Sequence, residues 1–125
     1  MENINNSLNW FEIPVIDFER ARKFYSAIYD FEMPSIMMGK NQMGFFQVQP
    51  KHIGGAIVKG VGYIPSQEGS LIYLNGGENL QQVLNRIPDA GGKIIQPKIQ
   101  ITPDLGYFAV FIDTEGNKVS LHSMK

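Results

Sequence analysis

The chain has no cysteine among its 125 residues. That excludes a disulfide scaffold, a thiolate nucleophile, a Cys-ligated zinc and an iron–sulfur cluster, and it leaves the redox state of the compartment unmarked. A dominant charge is missing too. Lys+Arg 11 against Asp+Glu 12 gives a formal net charge of −1, and the basic residues are scattered, so there is no face that would release counterions from a nucleic acid. The longest apolar run, residues 107–112, is far short of the roughly 20 residues that a membrane helix needs. The opening residues 1–6 have neither the basic nor the apolar stretch of a signal peptide. The expectation is a soluble, cytoplasmic protein with no nucleic-acid or membrane partner. What is present is globular: 43% hydrophobic and 18% charged residues, a composition that suits one domain burying roughly two-thirds of its unfolded surface.

Periodicity organises the chain. Residues 9–16 alternate Phe11, Ile13 and Val15 against Trp10, Glu12 and Pro14, which is strand spacing, and Pro14 argues for a sheet edge. Asp17 is a good N-cap, after which Phe18, Ala21, Phe24, Tyr25 and Ile28 recur at helical steps. Strand-like runs follow at 34–38, 43–49 and 56–59, and the stretch 60–69 has no period and reads as a connecting loop. The programme then repeats. A strand at 70–75 precedes a helix at 78–87 with Leu80, Val83, Leu84 and Ile87 as its stripe, ended by Pro88 and Gly91-Gly92. Strands at 93–101, 106–113 and 118–124 complete it, the last two joined by Asp113-Thr114-Glu115-Gly116-Asn117, a sequence suited to a tight hairpin.

Laid over each other, the halves match at an offset of about 60 positions: Ala21, Phe24, Tyr25 and Ile28 fall on Leu80, Val83, Leu84 and Ile87. Two copies are too few for a solenoid. The expected fold class is α+β, with two tandem βαβββ modules, residues 8–60 and 69–125, joined by a loop at 61–68. Together they would form a curved, open, eight-stranded barrel-like sheet with its helices outside.

The two strand faces differ in chemistry. Phe11, Ile13, Val15, Ile72, Leu74, Val119 and Leu121 suit the helix side, whereas Trp10, Glu12, Tyr73, Asn75, Ser120 and His122 form the other side. Apolar walls with sparse polar groups line ligand pockets; a solvated face or a subunit contact has the same composition. Glu12 and His122 are the candidate catalytic groups, because a desolvated carboxylate or an imidazole can move a proton. A paired or solvated side chain is the structural alternative for each. His52 lies in a Pro-Lys-His loop and Ser120 has no nucleophile-elbow context. Met33, Met37, Met38 and Met43 suit either a pliable wall or ordinary packing. No dinucleotide or P-loop spacing and no helical His pair is present.

Asn9-Trp10-Phe11-Glu12-Ile13-Pro14-Val15 with Asp17-Phe18-Glu19-Arg20-Ala21-Arg22-Lys23-Phe24-Tyr25 resembles the opening strand and helix of glyoxalase-like proteins of the vicinal oxygen chelate superfamily. Ile53-Gly54-Gly55-Ala56, Ala90-Gly91-Gly92-Lys93 and the run from Gly106 to Gly116-Asn117 are similar to later markers of that group, with Thr114 where it usually has proline. The resemblance implies a divalent metal held by four side chains, and it carries those places onto Trp10, Val58, Leu71 and Ser120. Indole, two aliphatic chains and a hydroxyl are not the imidazole, carboxylate or thiolate donors such a metal requires. No metal or other cofactor is therefore expected, unless a displaced set brings in Glu12 and His122. The expectation is a glyoxalase-like protein that binds a small organic molecule through Trp10, Glu12, Tyr73, Asn75, Ser120 and His122, and that forms a homodimer through an open sheet edge. The alternatives are a non-catalytic module of the bleomycin-resistance kind and a metal-dependent lyase or isomerase. Whether the chain is an enzyme stays open.

Overall fold

The computed structural model describes residues 3–125. Its elements are β1 (Trp10–Pro14), α1 (Phe18–Ile28), β2 (Ser35–Met38), β3 (Asn41–Phe45) and β4 (Gly54–Lys59), followed by β5 (Tyr73–Asn75), α2 (Gln81–Ala90), β6 (Lys93–Thr102), β7 (Gly106–Ile112) and β8 (Lys118–Ser123). Strand, helix and three strands thus occur twice. The strands form two four-stranded sheets in the orders β1-β4-β3-β2 and β5-β8-β7-β6. In each, the first strand runs parallel to the last, with Ile13 opposite Ile57 and Leu74 opposite Leu121, and the remaining pairs are antiparallel. The intervening helix and hairpin supply the long crossover that a parallel pair requires. The fold is α+β with two mixed sheets and no closed barrel. Among the described residues no helix is long and apolar enough to cross a membrane.

Each helix begins and ends for local reasons. The Asp17 side chain accepts the Arg20 N–H at 3.1 Å, capping α1, whose buried stripe is Phe18, Ala21, Phe24, Tyr25 and Ile28. α2 ends on Gly91, whose φ of 106° is the left-handed value that glycine takes without a Cβ penalty. One boundary differs from the periodicity reading. Pro88 does not close the helix at Ile87; it lies inside α2, which runs to Ala90. A proline this close to the end removes one main-chain donor, and the carbonyls of Ile87 and Pro88 are still taken by the N–H groups of Gly92 and Gly91.

A single core spans both modules. Ile13, Val15, Leu74, Val119 and Leu121 are buried in it with the helix stripes, and Phe11 and Ile72 pack against its margin, as the alternation predicts. Phe24 meets Tyr25 edge-on at 4.9 Å and Phe111 at 5.9 Å between ring centroids.

The hairpin between β7 and β8 fastens the second module onto the first. Both Glu115 carboxylate oxygens are used. One accepts the N–H groups of Ile16 at 3.0 Å and Asp17 at 2.7 Å, and the other accepts Arg20 Nε at 2.7 Å and the Thr114 hydroxyl at 3.0 Å. Asn117 Nδ2 donates to the Pro14 carbonyl at 2.7 Å. Asp113 is buried and accepts the Tyr25 hydroxyl as well as the backbone N–H groups of Glu115 and Asn117. These acids, which sequence reasoning treated only as turn residues, are structural.

Candidate functional site

Strand register decides which side chains share the face turned away from the helices. In the first sheet Trp10 lies opposite Gly54, Glu12 opposite Ala56 and Phe45 opposite Ala56, with Met43 opposite Val58. Met43, Ala56 and Val58 form a small apolar floor of their own, separate from the main core, with Phe45 and Tyr63 packed against it. Trp10 is 43% exposed and its ring lies 6.2 Å from that of Phe45.

Glu12 is exposed at the rim of this floor, and each of its carboxylate oxygens has a neighbour. The Tyr63 hydroxyl donates to Oε1 at 2.8 Å, and the Trp10 indole Nε1 donates to Oε2 at 3.4 Å. The hydrogen bond to the Glu12 carboxylate, with partial desolvation, holds the Tyr63 hydroxyl above its ordinary range. Two aromatic donors thus converge on one carboxylate over an apolar surface, an arrangement that can orient a polar group on a flat, apolar molecule. Tyr63 is the residue that sequence reasoning missed. It lies in the aperiodic stretch 60–69, and the only local signal is an aromatic residue set among glycines, Gly60-Val61-Gly62-Tyr63.

The second sheet groups the other candidates. Tyr73 lies opposite Ser120 and Asn75 opposite His122, with Phe108 opposite His122 on the far side. Tyr73 is 53% exposed, with its ring 6.4 Å from Phe108. His122 is half-buried, and its Nε2 lies 2.7 Å from the Leu105 carbonyl. Since a carbonyl only accepts, Nε2 carries the proton in this contact. Ser120 is fully buried, and its hydroxyl donates to the Ala109 carbonyl at 2.6 Å. Asn75 accepts the Gly77 N–H on its side-chain oxygen and the Tyr29 hydroxyl on its carbonyl. The structure therefore brings Trp10 and Glu12 together on one sheet and Tyr73, Asn75, Ser120 and His122 on the other. Glu12 and His122 share no hydrogen bond among the described residues. His52 is exposed in the loop before β4, and the methionines divide between the core (Met33), the apolar floor (Met43) and open surface (Met37, Met38).

A cavity of about 240 Å³ runs along the seam between the modules, with Glu12, Pro14, Ile64, Ser66, Ser70 and Lys118 among its walls. A wider, open hollow of about 410 Å³ beside α1 is lined by surface residues such as Arg22 and Glu32, which form an ion pair at 3.6 Å.

At the four places carried over from the family, Trp10, Val58, Leu71 and Ser120, no side chain is an ordinary donor to a divalent metal. Trp10 faces Gly54 while Val58 faces Pro14, four positions further along the same strand pair, so these two are not side by side. The Ser120 oxygen is committed to Ala109. Among the described residues, no three His, Cys, Asp or Glu side chains gather where they would hold a metal ion.

Comparison with known proteins agrees with this architecture. Residues 7–121 match the model of the Glyoxalase/Bleomycin resistance protein/Dioxygenase superfamily. A glyoxylase-like domain-containing protein of Didymella fabae is 30% identical over 118 residues, covering 91% of each chain. Among solved structures, a glyoxalase/bleomycin resistance protein from Albidiferax ferrireducens superimposes with a TM-score of 0.68 at 19% identity, covering 93% of this chain and 98% of that one. TnmS3, an antibiotic binding protein from a Streptomyces species, does so with a TM-score of 0.62 at 21% identity, covering 98% of both.

Proposed function

The chain belongs to the Glyoxalase/Bleomycin resistance protein/Dioxygenase superfamily, and on that premise we propose that it binds a small, partly apolar organic molecule on the helix-free face of its sheets, without a resident metal. Trp10 and Tyr73 supply aromatic surface; Glu12 and His122 orient the ligand by hydrogen bonds; Asn75 and Ser120 keep the second sheet's frame in order. The observation that carries this reading is the convergence of the Trp10 and Tyr63 donors on Glu12 above the floor of Met43, Ala56 and Val58. A half-exposed indole beside an ordered carboxylate is affinity and orientation in one place. The test is a thermal-shift screen of small organic molecules in the presence of a chelator, since a ligand of the native state raises its apparent stability. Compounds should raise the melting temperature with EDTA present, and Glu12→Gln should reduce the shift. A screen without hits, or hits that vanish with the chelator, would overturn the reading.

A second reading, sequestration of an antibiotic without catalysis, is favoured by the likeness to TnmS3, which is itself an antibiotic binding protein. Turnover of a bound compound argues for an enzyme, and binding without any turnover argues for sequestration.

We also propose a homodimer. Each sheet has open edges, and β2 and β6 present Ile36, Met37, Met38, Ile95, Ile99 and Ile101 as exposed apolar residues, surface that pairing with a second copy would cover. Sedimentation should give a dimer at micromolar concentration; a clean monomer would contradict this.

A further inference from the structure

Tyr63 belongs to neither sheet, yet it lies on the helix-free face of the first. Its ring packs on the floor of Met43, Ala56 and Val58, and its hydroxyl donates to Glu12 at 2.8 Å. The chain that carries it is otherwise lightly held. Val61 is 99% exposed and Ile64 76% exposed on either side, and Gly62 has a φ of 88° with open space where a Cβ would be. The Tyr63 N–H reaches the Gly60 carbonyl at 3.2 Å. The next tie along the chain, among the described residues, is at Ser66, whose N–H bonds Asn117 Oδ1 and whose carbonyl accepts the Lys118 N–H. Residues 61–65 therefore form a short strap between two anchored points, in which Pro65 is half-buried and Tyr63 is the residue whose side chain hydrogen-bonds the first sheet, at Glu12.

What this side chain presents to the sheet is a 4-alkylphenol: a ring packed on methionine and aliphatic groups, with one hydroxyl proton directed at a carboxylate. We propose that the first sheet's face is a receptor for hydroxyaromatic molecules and that Tyr63 is its tethered, displaceable occupant. An incoming phenol takes the apolar floor, gives its own hydroxyl hydrogen bond to Glu12 Oε1 and sends the strap outward. The inference rests on the reading that this face binds small organic molecules, and it adds the ligand class and the competitor. Three consequences follow from the chemistry. The ligand must be a hydrogen-bond donor, because an ionised carboxylate only accepts. It must be uncharged at the hydroxyl, since a phenolate would face the Glu12 carboxylate with like charge. Its apparent affinity in the unaltered chain is reduced by the fraction of time Tyr63 is in place, because a group on a short tether competes at high effective concentration.

Trp10 is the one tryptophan of the chain, and its indole N–H points at the same carboxylate, so one signal in a nitrogen–proton correlation spectrum reports on the site. The experiment titrates 4-methylphenol, and separately toluene, into the full chain, Tyr63→Ala and Tyr63→Phe. For Tyr63→Ala, 4-methylphenol should shift the Trp10 indole signal with a dissociation constant about tenfold lower than in the unaltered chain. Toluene, lacking the hydroxyl, should bind that variant about tenfold more weakly than 4-methylphenol. Tyr63→Phe keeps the ring but not its anchor and should fall between. If Tyr63→Ala does not fold, Tyr63→Phe carries the test by its own tightening relative to the unaltered chain. Equal affinity for 4-methylphenol across all three proteins, or toluene binding as tightly as 4-methylphenol, would overturn the inference while leaving a binding face in place. Neither probe moving the Trp10 signal in any of the three would overturn it and count against the broader binding reading as well.

Discussion

The Tyr25 hydroxyl donates a 2.7 Å hydrogen bond to Asp113, 88 positions away and in the other module, with both side chains inside the core. Burial, reinforced by the Asp113 charge, pushes the Tyr25 hydroxyl well above its ordinary range, so the bond keeps its proton on tyrosine. A helix of the first module is thereby joined to the hairpin of the second, where Asp113 also organises the turn. Tyr25→Phe removes this donor and leaves Asp113 Oδ2 with Asn117 Nδ2 alone. We expect a loss of about 1–3 kcal/mol in urea unfolding; a change below about 0.5 kcal/mol would be no more than an ordinary surface substitution gives.

Glu115 gives the fold a pH dependence. Burial alone raises its carboxyl pKa, but hydrogen bonds from Arg20 and from the Asp17 and Ile16 N–H groups outweigh this and hold it below the ordinary 4.5. A group whose folded pKa is lowered contributes stability that is complete above its unfolded pKa and is lost as pH falls through the folded value. Resistance to urea should therefore fall as pH is lowered from 7 to 3, with the unfolding midpoint moving to lower urea concentration. Glu115→Gln should lose about 1–3 kcal/mol at pH 7 and show a flatter acid decline; an unchanged acid slope would remove Glu115 from this role.

Gly106 is constrained twice. Its φ is 81°, and an added Cβ would run into the Ser123 carbonyl oxygen and come within 2.9 Å of Met124 Cα, both backbone groups. Gly106→Ala is expected to cost about 2–4 kcal/mol from left-handed strain and overpacking together. Thermal unfolding that moves by less than a degree would contradict this geometry.

On the proposed reading, Ser120 belongs to the frame and Trp10 to the ligand face, and two variants separate them. Ser120→Ala removes the hydrogen bond to the Ala109 carbonyl and should lower stability by about 1 kcal/mol while leaving ligand affinity unchanged. Trp10→Ala should do the reverse: little change in unfolding, because the indole is half-exposed, and loss of at least about tenfold in the affinity of a screen hit. The reverse pattern would exchange their roles.

Much of the frame was legible because burial writes a period into the chain. The alternation of Phe11, Ile13 and Val15 against Trp10 and Glu12, and the helical recurrence of Phe24, Tyr25 and Ile28, follow from one-sided burial and appear in the core as read. The ends of elements were less legible. The strand expected at 43–49 is Asn41–Phe45, because the turn after Met38 takes only Gly39 and Lys40, with Gly39 at a φ of 62°. Helix α2 passes through Pro88 because its final carbonyls find donors in Gly91 and Gly92. The alternation sorts side chains onto the two strand faces but does not show what lies over either face. Tyr63 reaches Glu12 from 51 positions away, and Glu115 meets Arg20 from 95. Contacts of that separation leave no local pattern. Nor does spacing reveal that the Ser120 hydroxyl is spent on a neighbouring strand.

The central claim is that rings and one carboxylate, not metal donors, receive the ligand on the helix-free face. Chemical-shift mapping of a bound screen hit in exhaustively chelated protein tests it most directly. The account predicts that the Trp10 indole and the amides of Gly54 and Ala56 shift on titration without added metal. A spectrum that stays unchanged until zinc or nickel is supplied would contradict it.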